Sequence, residues 1–401
     1  MERVDTITAK EVLDSRGNPT VEVLMGNGVH HVSAKIPSGR SAGSREALEL
    51  RDPDGKGVSL AIEHVNNVIA PALRHMPLDP SAIDAKLLLL DRTPNKSQLG
   101  ANAMLGVSMA AVKLSAHIEN VPLWKYIAGL SGRQPSMPRL YMNMLNGGAH
   151  ASFRLPFQEY IVVVGSESAS RSYGVAQEIF AALGELVKRE CGETPFGDEG
   201  GYAPMLKEIE KPFALLREAS GGRGGTFFAI DAAASEFFRD GKYVVGDVSY
   251  SADNLFALYQ SLQKEYGVKS IEDPFDERDF VAYERFVKER GDGLLIVGDD
   301  LTVTNPHIVQ EMVDKKRANA IIIKPNQVGT ISEVFETVDI AVKAGWKLIA
   351  SHRSGETDDT FIADLAVGIG AYGLKAGAPS QMERRVKYDR LLQIEKEMSK
   401  V

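Results

Sequence analysis

Three acidic side chains stand where short β-rich runs of the sequence end: Asp231, Glu272 and Asp299. Carboxylates that pack together repel one another, so a shared site for them needs a cation of high charge density. Oxygen ligands without cysteine or clustered histidine favour Mg²⁺ over zinc or copper. Each acid alone could instead be a helix N-cap, because Asp is common where a strand turns into a helix.

A lysine and a cationic segment end two further runs of this kind. Lys324 follows three isoleucines, so we expect its ammonium to emerge from an apolar wall. Burial and nearby cations both lower a lysine pKa, which predicts an amine able to act as a base near neutral pH. A salt bridge to one of the carboxylates is the alternative, and the two are compatible. Arg353 and Ser354, after His352, offer a planar cation and a hydroxyl suited to a phosphate or carboxylate.

Two segments are dense in small residues. Residues 196–202 place Asp198 and Glu199 among glycines, which permit close backbone approach and could hold a carboxyl near a ligand. A solvated turn has the same composition. Residues 37–43 have the make-up of a mobile lid, or equally of a linker.

The elements that must position these groups repeat with a period of about one strand plus one helix. From residue 227 onwards, β-rich runs end in polar groups and helical patterns follow, which indicates a parallel β/α array. Polar residues at the ends of at least five strands favour a closed barrel over an open sheet, because all strand ends of a barrel share one mouth. Asn305 followed by Pro306 predicts a helix start within this array.

The first third of the chain has a different rhythm. Residues 4–35 alternate short apolar runs with the turn at 15–19, which predicts antiparallel strands. Residues 102–118 predict a helix that is buried on more than one side. A polar stretch near Pro135 is the best linker, so we predict an α+β capping domain over residues 1–134 and a β/α barrel catalytic domain over 135–401.

Composition excludes several classes of protein. The chain has 401 residues, 44% hydrophobic, with 46 Lys and Arg against 54 Asp and Glu, a net charge of −8. This balance gives no basic field for nucleic acid. Cys191 is the single cysteine, which fits a reducing compartment, and no signal peptide or membrane span is evident. We therefore expect a soluble, cytoplasmic protein that binds neither nucleic acid nor membrane.

Several ordered motifs run almost from end to end of the chain. They include LDSRGNPTVE at 13–22, SREALELRD at 44–52, GDEGG at 197–201, SIEDP at 270–274, VGDDLTVTNP at 297–306 and SHRSGET at 351–357. Together they resemble the enolase family, the phosphopyruvate hydratases of glycolysis. The resemblance implies an α/β fold, an enolase-like modified TIM (β/α)8 barrel with an N-terminal α+β capping domain.

The resemblance also implies the reaction and the site. The implied substrate is 2-phosphoglycerate, which would be reversibly dehydrated to phosphoenolpyruvate and water with two Mg²⁺ ions per site, the second arriving with substrate. The resemblance also implies a homodimer or a higher even-numbered homo-oligomer. The implied roles are the base for Lys324, the acid for Glu199, ligands of the first Mg²⁺ for Asp231, Glu272 and Asp299, a lid ligand of the second for Ser41, and substrate contacts for His150, Gln158, Glu159, His352, Arg353, Ser354 and Lys375.

Some positions depart from the family pattern. In the lid, Arg40 and Ala42 replace Ala and Thr, so Arg40 could add a phosphate contact or obstruct closure. Phe153 stands in a normally more polar stretch, and Gln381 replaces an arginine. The alternative function is that of a diverged paralogue, which binds or regulates or acts on another phosphorylated hydroxy acid. Retention of base, acid and all three metal ligands favours the active hydratase.

Overall fold

The computed structural model describes residues 2–40, 43–166 and 168–400. The first part of the chain forms an antiparallel sheet in the order β1-β2-β3, followed by helices. Its elements are β1 (Thr6–Leu13), β2 (Pro19–Gly26), β3 (His31–Lys35), α1 (Ser59–His64), α2 (Ala70–Leu73), α3 (Pro80–Leu90), α4 (Ala101–Ile118) and α5 (Leu123–Ser131), with a π-helical turn at Val65–Ile69. The predicted antiparallel strands and the predicted helix of residues 102–118 are confirmed.

Local chemistry explains the first hairpin and the burial of α4. Asp14 Oδ1 accepts hydrogen bonds from the backbone N–H groups of Arg16 and Asn18, both at 2.9 Å, and so closes the turn between β1 and β2. Gly106 lets α4 lie directly on β2, since a Cβ there would fall 2.4 Å from Val23 Cγ2. The sheet and α4 therefore form one packed layer pair.

The rest of the chain forms a closed barrel whose strands neighbour one another in the order β10-β11-β12-β13-β14-β4-β5-β6. The barrel strands are β4 (Arg139–Asn146), β5 (Glu159–Val164), β6 (Thr226–Asp231), β10 (Val268–Glu272), β11 (Leu295–Gly298), β12 (Ala320–Ile323), β13 (Lys347–Ser351) and β14 (Gly373–Lys375). A small separate sheet contains β7 (Phe238–Arg239), β8 (Lys242–Val245) and β9 (Val248–Tyr250). The predicted barrel is confirmed.

Helices surround this barrel. They are α6 (Ala169–Cys191), α7 (Lys211–Ser220), α8 (Ala252–Tyr266), α9 (Phe280–Arg290), α10 (Pro306–Asp314), α11 (Ile331–Lys343), α12 (Phe361–Gly368) and α13 (Met382–Met398), with short 3₁₀ turns at Gly148–Ala151, Ala234–Phe237 and Pro325–Gln327. As predicted, Asn305 caps α10: its Oδ1 accepts from the N–H groups of His307 and Ile308. Within the described residues, no helix has both the length and the apolar character needed to cross a bilayer.

One strand makes the barrel a modified one. β5 runs antiparallel to both of its neighbours, β4 and β6, whereas the other pairings of the barrel are parallel. The first residue of β5, Glu159, therefore lies at the same end of the barrel as Asp231, with which it is paired in register. The sequence analysis did not identify β4 or β5, and in β5 the polar residue, Glu159, precedes the apolar run instead of following it.

An apolar layer fills the barrel below its mouth. Side chains from separate strands meet there, among them Tyr141, Val163, Val297, Ile322 and Ile349, all nearly fully buried. This layer is the packed interior expected of a closed barrel. The polar side chains described next lie at the opposite, carboxyl-terminal end of most strands, where this apolar filling stops.

The first part of the chain covers the barrel mouth. Ser38 and Gly355 exchange backbone hydrogen bonds at 2.8 and 2.9 Å, which ties the segment after β3 to the segment after β13. Asn326 Nδ2 donates to Pro37 O at 3.1 Å, close to the end of β12. The predicted lid segment is therefore anchored on its amino-terminal side to the rim of the barrel.

Candidate active site

The carboxyl ends of the strands deliver most of the predicted groups to one mouth. Asp231, Glu272 and Lys375 are the last residues of β6, β10 and β14, and the other groups follow β11, β12 and β13. Asp231 is paired in register with both Glu159 and Glu272, so three acids occupy adjacent strands. The closed barrel therefore brings these groups together at one mouth, as the sequence predicts.

Lys375 lies among these three acids. Its Nζ is 3.2 Å from Glu159 Oε1, 3.1 Å from Asp231 Oδ2 and 2.7 Å from Glu272 Oε2. Burial lowers the pKa of Lys375, but the surrounding carboxylates raise it well above the usual value. Burial also raises the pKa of Glu159 and of Glu272. One ammonium thus compensates several acids that would otherwise be buried and repelling.

Lys324 pairs with Asp299 rather than standing free. Its Nζ donates to Asp299 Oδ2, and Gln327 Nε2 donates to the other carboxylate oxygen at 2.9 Å. Burial lowers the pKa of Lys324, but Asp299 raises it and the sum lies above the usual value. The expectation of a lowered pKa is therefore wrong in the free protein, because the nearest charges are carboxylates and not cations.

Glu199 sits in a separate network. Its Oε2 accepts a hydrogen bond from Asn143 Nδ2 at 3.0 Å and lies 3.2 Å from His352 Nε2, while its Oε1 lies 3.5 Å from His150 Nδ1. Burial raises the pKa of the Glu199 carboxyl, but the imidazoles of His352 and His150 outweigh it, and the pKa falls well below its usual range. The loop reaches this position because Gly201 lies so close to β4 that a Cβ would contact Asn146 Oδ1 at 2.9 Å.

Arg353 and Ser354 stand between the barrel and its cover. Arg353 Nη1 donates to Glu46 Oε2 at 3.0 Å and to Asn326 Oδ1 at 2.9 Å, and Ser354 Oγ accepts from Arg16 Nη1 at 3.3 Å. Burial lowers the pKa of Arg353, but Glu46 raises it, and it ends above the usual value. The guanidinium is thus held by an acid from the first part of the chain.

A cavity joins the two networks. It is lined by Ser351 and by ten of the predicted site residues: His150, Gln158, Glu159, Glu199, Asp231, Lys324, His352, Arg353, Ser354 and Lys375. Glu272 and Asp299 are not among its lining residues in the described part of the chain; they lie behind it, each paired with a lining lysine. Ser41 lies outside the described residues.

The residues at this mouth fit a hard, oxygen-preferring cation. Glu272 Oε1, Glu159 Oε2 and Gln158 Oε1 are buried without a hydrogen-bond partner, so acceptor oxygens remain available. Within residues 2–40, 43–166 and 168–400, the groups whose ligand atoms lie within 4.8 Å of one another are His150 with Glu159 and Glu199, and Asp273 with Asp299 and Asp300. Asp231, Glu272 and Asp299 are not such a group among the described residues, and a lysine ammonium lies beside each of them.

Sequence reasoning missed several residues that support the site. Arg384 is fully buried beside His352, Asn143 donates to Glu199, Glu46 holds Arg353, and Gln327 holds Asp299. Arg384 belongs to a charged helical pattern that reads as a solvated face, so its local sequence gives no signal. The others become partners only through contacts between distant segments of the chain.

Comparisons with known proteins agree with this architecture. The family model described as "Enolase, N-terminal domain" matches residues 4–127, and the model described as "Enolase, C-terminal TIM barrel domain" matches residues 134–401. The chain is 42% identical to Enolase B of Dictyostelium discoideum, over 99% of this chain and 96% of that protein. It is 43% identical to Enolase of Methanopyrus kandleri, over 100% of this chain and 97% of that protein.

Proposed function

The chain belongs to the enolase family and is a phosphopyruvate hydratase, a hydro-lyase; we propose the roles through which its residues dehydrate 2-phospho-D-glycerate to phosphoenolpyruvate and water. The observation that carries this proposal is that Lys324 and Glu199 line one cavity but belong to separate networks. Separate surroundings allow one group to take a proton while the other gives one.

Lys324 is the proposed base. Its neutral amine takes the proton from C2 of the substrate, and the electron pair of that C–H bond becomes the new C2–C3 double bond. In the free protein Asp299 holds the ammonium, so turnover requires Asp299 to be drawn away from Nζ. Asp231, Glu272 and Asp299 would hold a Mg²⁺ ion, which would supply positive charge to stabilise the developing negative charge, the general pattern of enolase-superfamily sites.

Glu199 is the proposed acid. It is ionised in the free protein because its pKa is lowered. Substrate brings a phosphate and a carboxylate into the cavity, and these charges raise the pKa of a neighbouring carboxyl. Glu199 then gives its proton to the C3 oxygen as the C3–O bond breaks, and water leaves. In the reverse direction its carboxylate takes a proton from water.

The remaining groups position the substrate. Arg353 and Ser354 are proposed to bind the phosphate and Lys375 the carboxylate, since cations and a hydroxyl suit these anions. His150, Gln158, Glu159 and His352 complete the pocket. Ser41 is proposed as the lid ligand of a second Mg²⁺ that arrives with substrate. Arg353 must exchange Glu46 for phosphate, which is the direct cost of using it as an anion site.

The test is an ultraviolet assay for the enol product with purified protein, 2-phosphoglycerate and Mg²⁺. Lys324→Ala is expected to lower turnover by about 100- to 10,000-fold, the usual contribution of a general base. Lys343→Ala, which changes an exposed lysine on α11, is the matched control and should retain full turnover. Near-normal turnover in Lys324→Ala would remove Lys324 as the base.

A second variant tests the acid. Glu199→Gln should impair dehydration more than exchange of the C2 proton with solvent, because exchange needs only the base. Equal loss of both would contradict the assignment. If the unmodified protein binds Mg²⁺ but does not turn over 2-phosphoglycerate, another phosphorylated hydroxy acid becomes the substrate to test.

We further propose that the protein works in the cytoplasm, in glycolysis and gluconeogenesis, as a homodimer or higher even-numbered homo-oligomer. The single thiol of Cys191 supports a reducing compartment. The domain division at 134 and 135 falls in the segment between α5 and β4. Light scattering on the purified full chain measures the assembly, and a monomer would contradict it.

A further inference from the structure

Arg384 is a buried cation that the reaction scheme above does not use. It lies in α13 with its side chain fully buried, and within the described ranges no carboxylate oxygen lies within 4.0 Å of its guanidinium. A buried charge without a counter-ion is costly, so its donors must be well used. Nη1 donates to Arg353 O at 2.6 Å, and Nη2 donates to Ser354 O at 2.7 Å and Asp198 O at 3.0 Å.

The remaining contact of Nη1 is with the imidazole of His352. Nη1 lies 2.5 Å from His352 Nδ1. A guanidinium has five N–H donors and no acceptor, so Nδ1 must be the acceptor and cannot carry a proton. A neutral imidazole then carries its proton on Nε2, which lies 3.2 Å from Glu199 Oε2.

We propose that Arg384 is a positioning residue that fixes neutral His352 as its Nε2–H tautomer, so that His352 presents a donor and not a lone pair to Glu199. This role deepens the proposed function, on which its catalytic part rests. Burial lowers the pKa of His352, the Arg384 guanidinium also lowers it and Glu199 raises it, and the net pKa is about 4. The neutral form therefore prevails near pH 7.

The tautomer of His352 determines which carboxylate oxygen of Glu199 carries the proton that is given to the substrate. Asn143 Nδ2 donates to Oε2, and His352 Nε2 lies 3.2 Å from the same oxygen without a hydrogen bond in the free protein. In the proposed role, Oε1, which lies 3.5 Å from His150 Nδ1, is the atom that exchanges a proton with the C3 oxygen of substrate. A flipped tautomer would turn a lone pair of His352 towards Glu199 and favour a proton on the wrong oxygen.

Gln381, which departs from the family pattern, also contacts Arg384. Gln381 Oε1 accepts from Arg384 Nε at 3.2 Å. The family pattern has an arginine at this position, which has no acceptor for that bond. Gln381, the residue just before α13, thus helps to orient the guanidinium whose other end contacts His352.

The experiment reads the tautomer and the kinetics together. In protein labelled with ¹⁵N-histidine, the His352 signal among the eight histidines is identified by its loss in His352→Gln. The unmodified protein should show an unprotonated Nδ1 and a protonated Nε2. Arg384→Met should lose this pattern, with kcat reduced about 100-fold or more and KM changed by less than about threefold, since a wrong tautomer mainly impairs proton transfer.

Two further variants separate positioning from stability. Arg384→Lys retains a donor, so it should keep the tautomer and recover part of kcat. Arg390→Met, in the same helix, removes a pair with Asp364 and Glu397 at 2.7 Å each and should lower stability without moving the tautomer or the ratio of kcat to KM. If Arg384→Met fails to fold, the tautomer of His352 can still be measured in Arg384→Lys and in the unmodified protein.

Each outcome decides one statement. An Nδ1–H tautomer in the unmodified protein, or an unchanged tautomer and kcat in Arg384→Met, overturns the inference. An Arg384-dependent tautomer in a protein that does not turn over 2-phosphoglycerate overturns the proposed function and leaves the positioning of His352 intact. If the protein turns over 2-phosphoglycerate and the tautomer of His352 does not depend on Arg384, the positioning role is overturned and the proposed function stands.

Discussion

Lys375→Met tests the electrostatic arrangement at the barrel mouth most directly. The side chain is 2% exposed, and its ammonium contacts Glu159, Asp231 and Glu272. Methionine keeps most of the volume but leaves three buried acids without their cation. Removal of one partner from a buried ion pair costs about 3–5 kcal/mol, so we expect a loss of that size in buffer containing EDTA. Folded domains have about 5–15 kcal/mol, so the variant should still fold.

The same variant also tests the metal assignment. Mg²⁺ at 100 times its dissociation constant stabilises a protein by about 2.7 kcal/mol. Because no ammonium then competes for Asp231 and Glu272, the Mg²⁺-dependent gain in unfolding free energy should be larger in Lys375→Met than in the unmodified protein. Denaturant titration with and without Mg²⁺ measures both quantities.

Lys387→Met is the matched control. Lys387 is fully buried and pairs with the carboxylate of Glu356 at 2.6 Å, away from the acids proposed to bind metal. It should lose comparable stability in EDTA and respond to Mg²⁺ as the unmodified protein does. The reasoning is refuted if Lys375→Met is as stable as the unmodified protein in EDTA, or if its response to Mg²⁺ matches that of Lys387→Met.

Three further outcomes are expected. Asp84→Asn should stabilise the protein by up to about 3 kcal/mol at pH 7.5 but by only about 1 kcal/mol at pH 4.5, because burial raises the pKa of Asp84 to about 6 and the folded state loses stability as pH rises from the ordinary Asp pKa of about 4 to about 6; an equal effect at both pH values in denaturant titration would contradict this. Arg40→Ala should change the unfolding free energy by less than about 1 kcal/mol, because its pair with Asp198 at 2.7 Å is half exposed; a loss above about 2 kcal/mol would show that the pair holds more structure than its exposure indicates. Cys191 should react with iodoacetamide more slowly at pH 7.5 than free cysteine, because burial raises its pKa; faster reaction, followed by mass spectrometry, would contradict the assigned environment.

The sequence predicts the barrel well because most of its strand ends carry a local signal. Asp231, Glu272 and Lys324 each come at the end of a short, apolar, β-rich run. The structure has a strand at each of these runs. The reversed β5 gives no such signal, since its polar residue precedes the strand. Glu159 was identified only through the family resemblance.

The site was less predictable than the fold because its charges are paired across the whole chain. Glu46 meets Arg353 only when the first part of the chain covers the barrel, and nothing near either residue indicates the contact. The pKa of Lys324 was predicted in the wrong direction for the same reason. Its strand indicates burial, but the Asp299 carboxylate that outweighs burial comes from the neighbouring strand end.

The reversal of β5 has an electrostatic consequence that links the fold to the chemistry. In an all-parallel barrel each strand presents its last residue to the mouth, whereas β5 presents its first, Glu159, beside Asp231. The last residue of β5, Val164, then lies at the far end. The mouth therefore gains an acid next to two others, and the cluster is stable only because Lys375 of β14 reaches all three. The reversed strand thus supplies negative charge that a cation can bind, and it also creates the need for Lys375. For this reason Lys375→Met should increase the Mg²⁺-dependent gain in unfolding free energy.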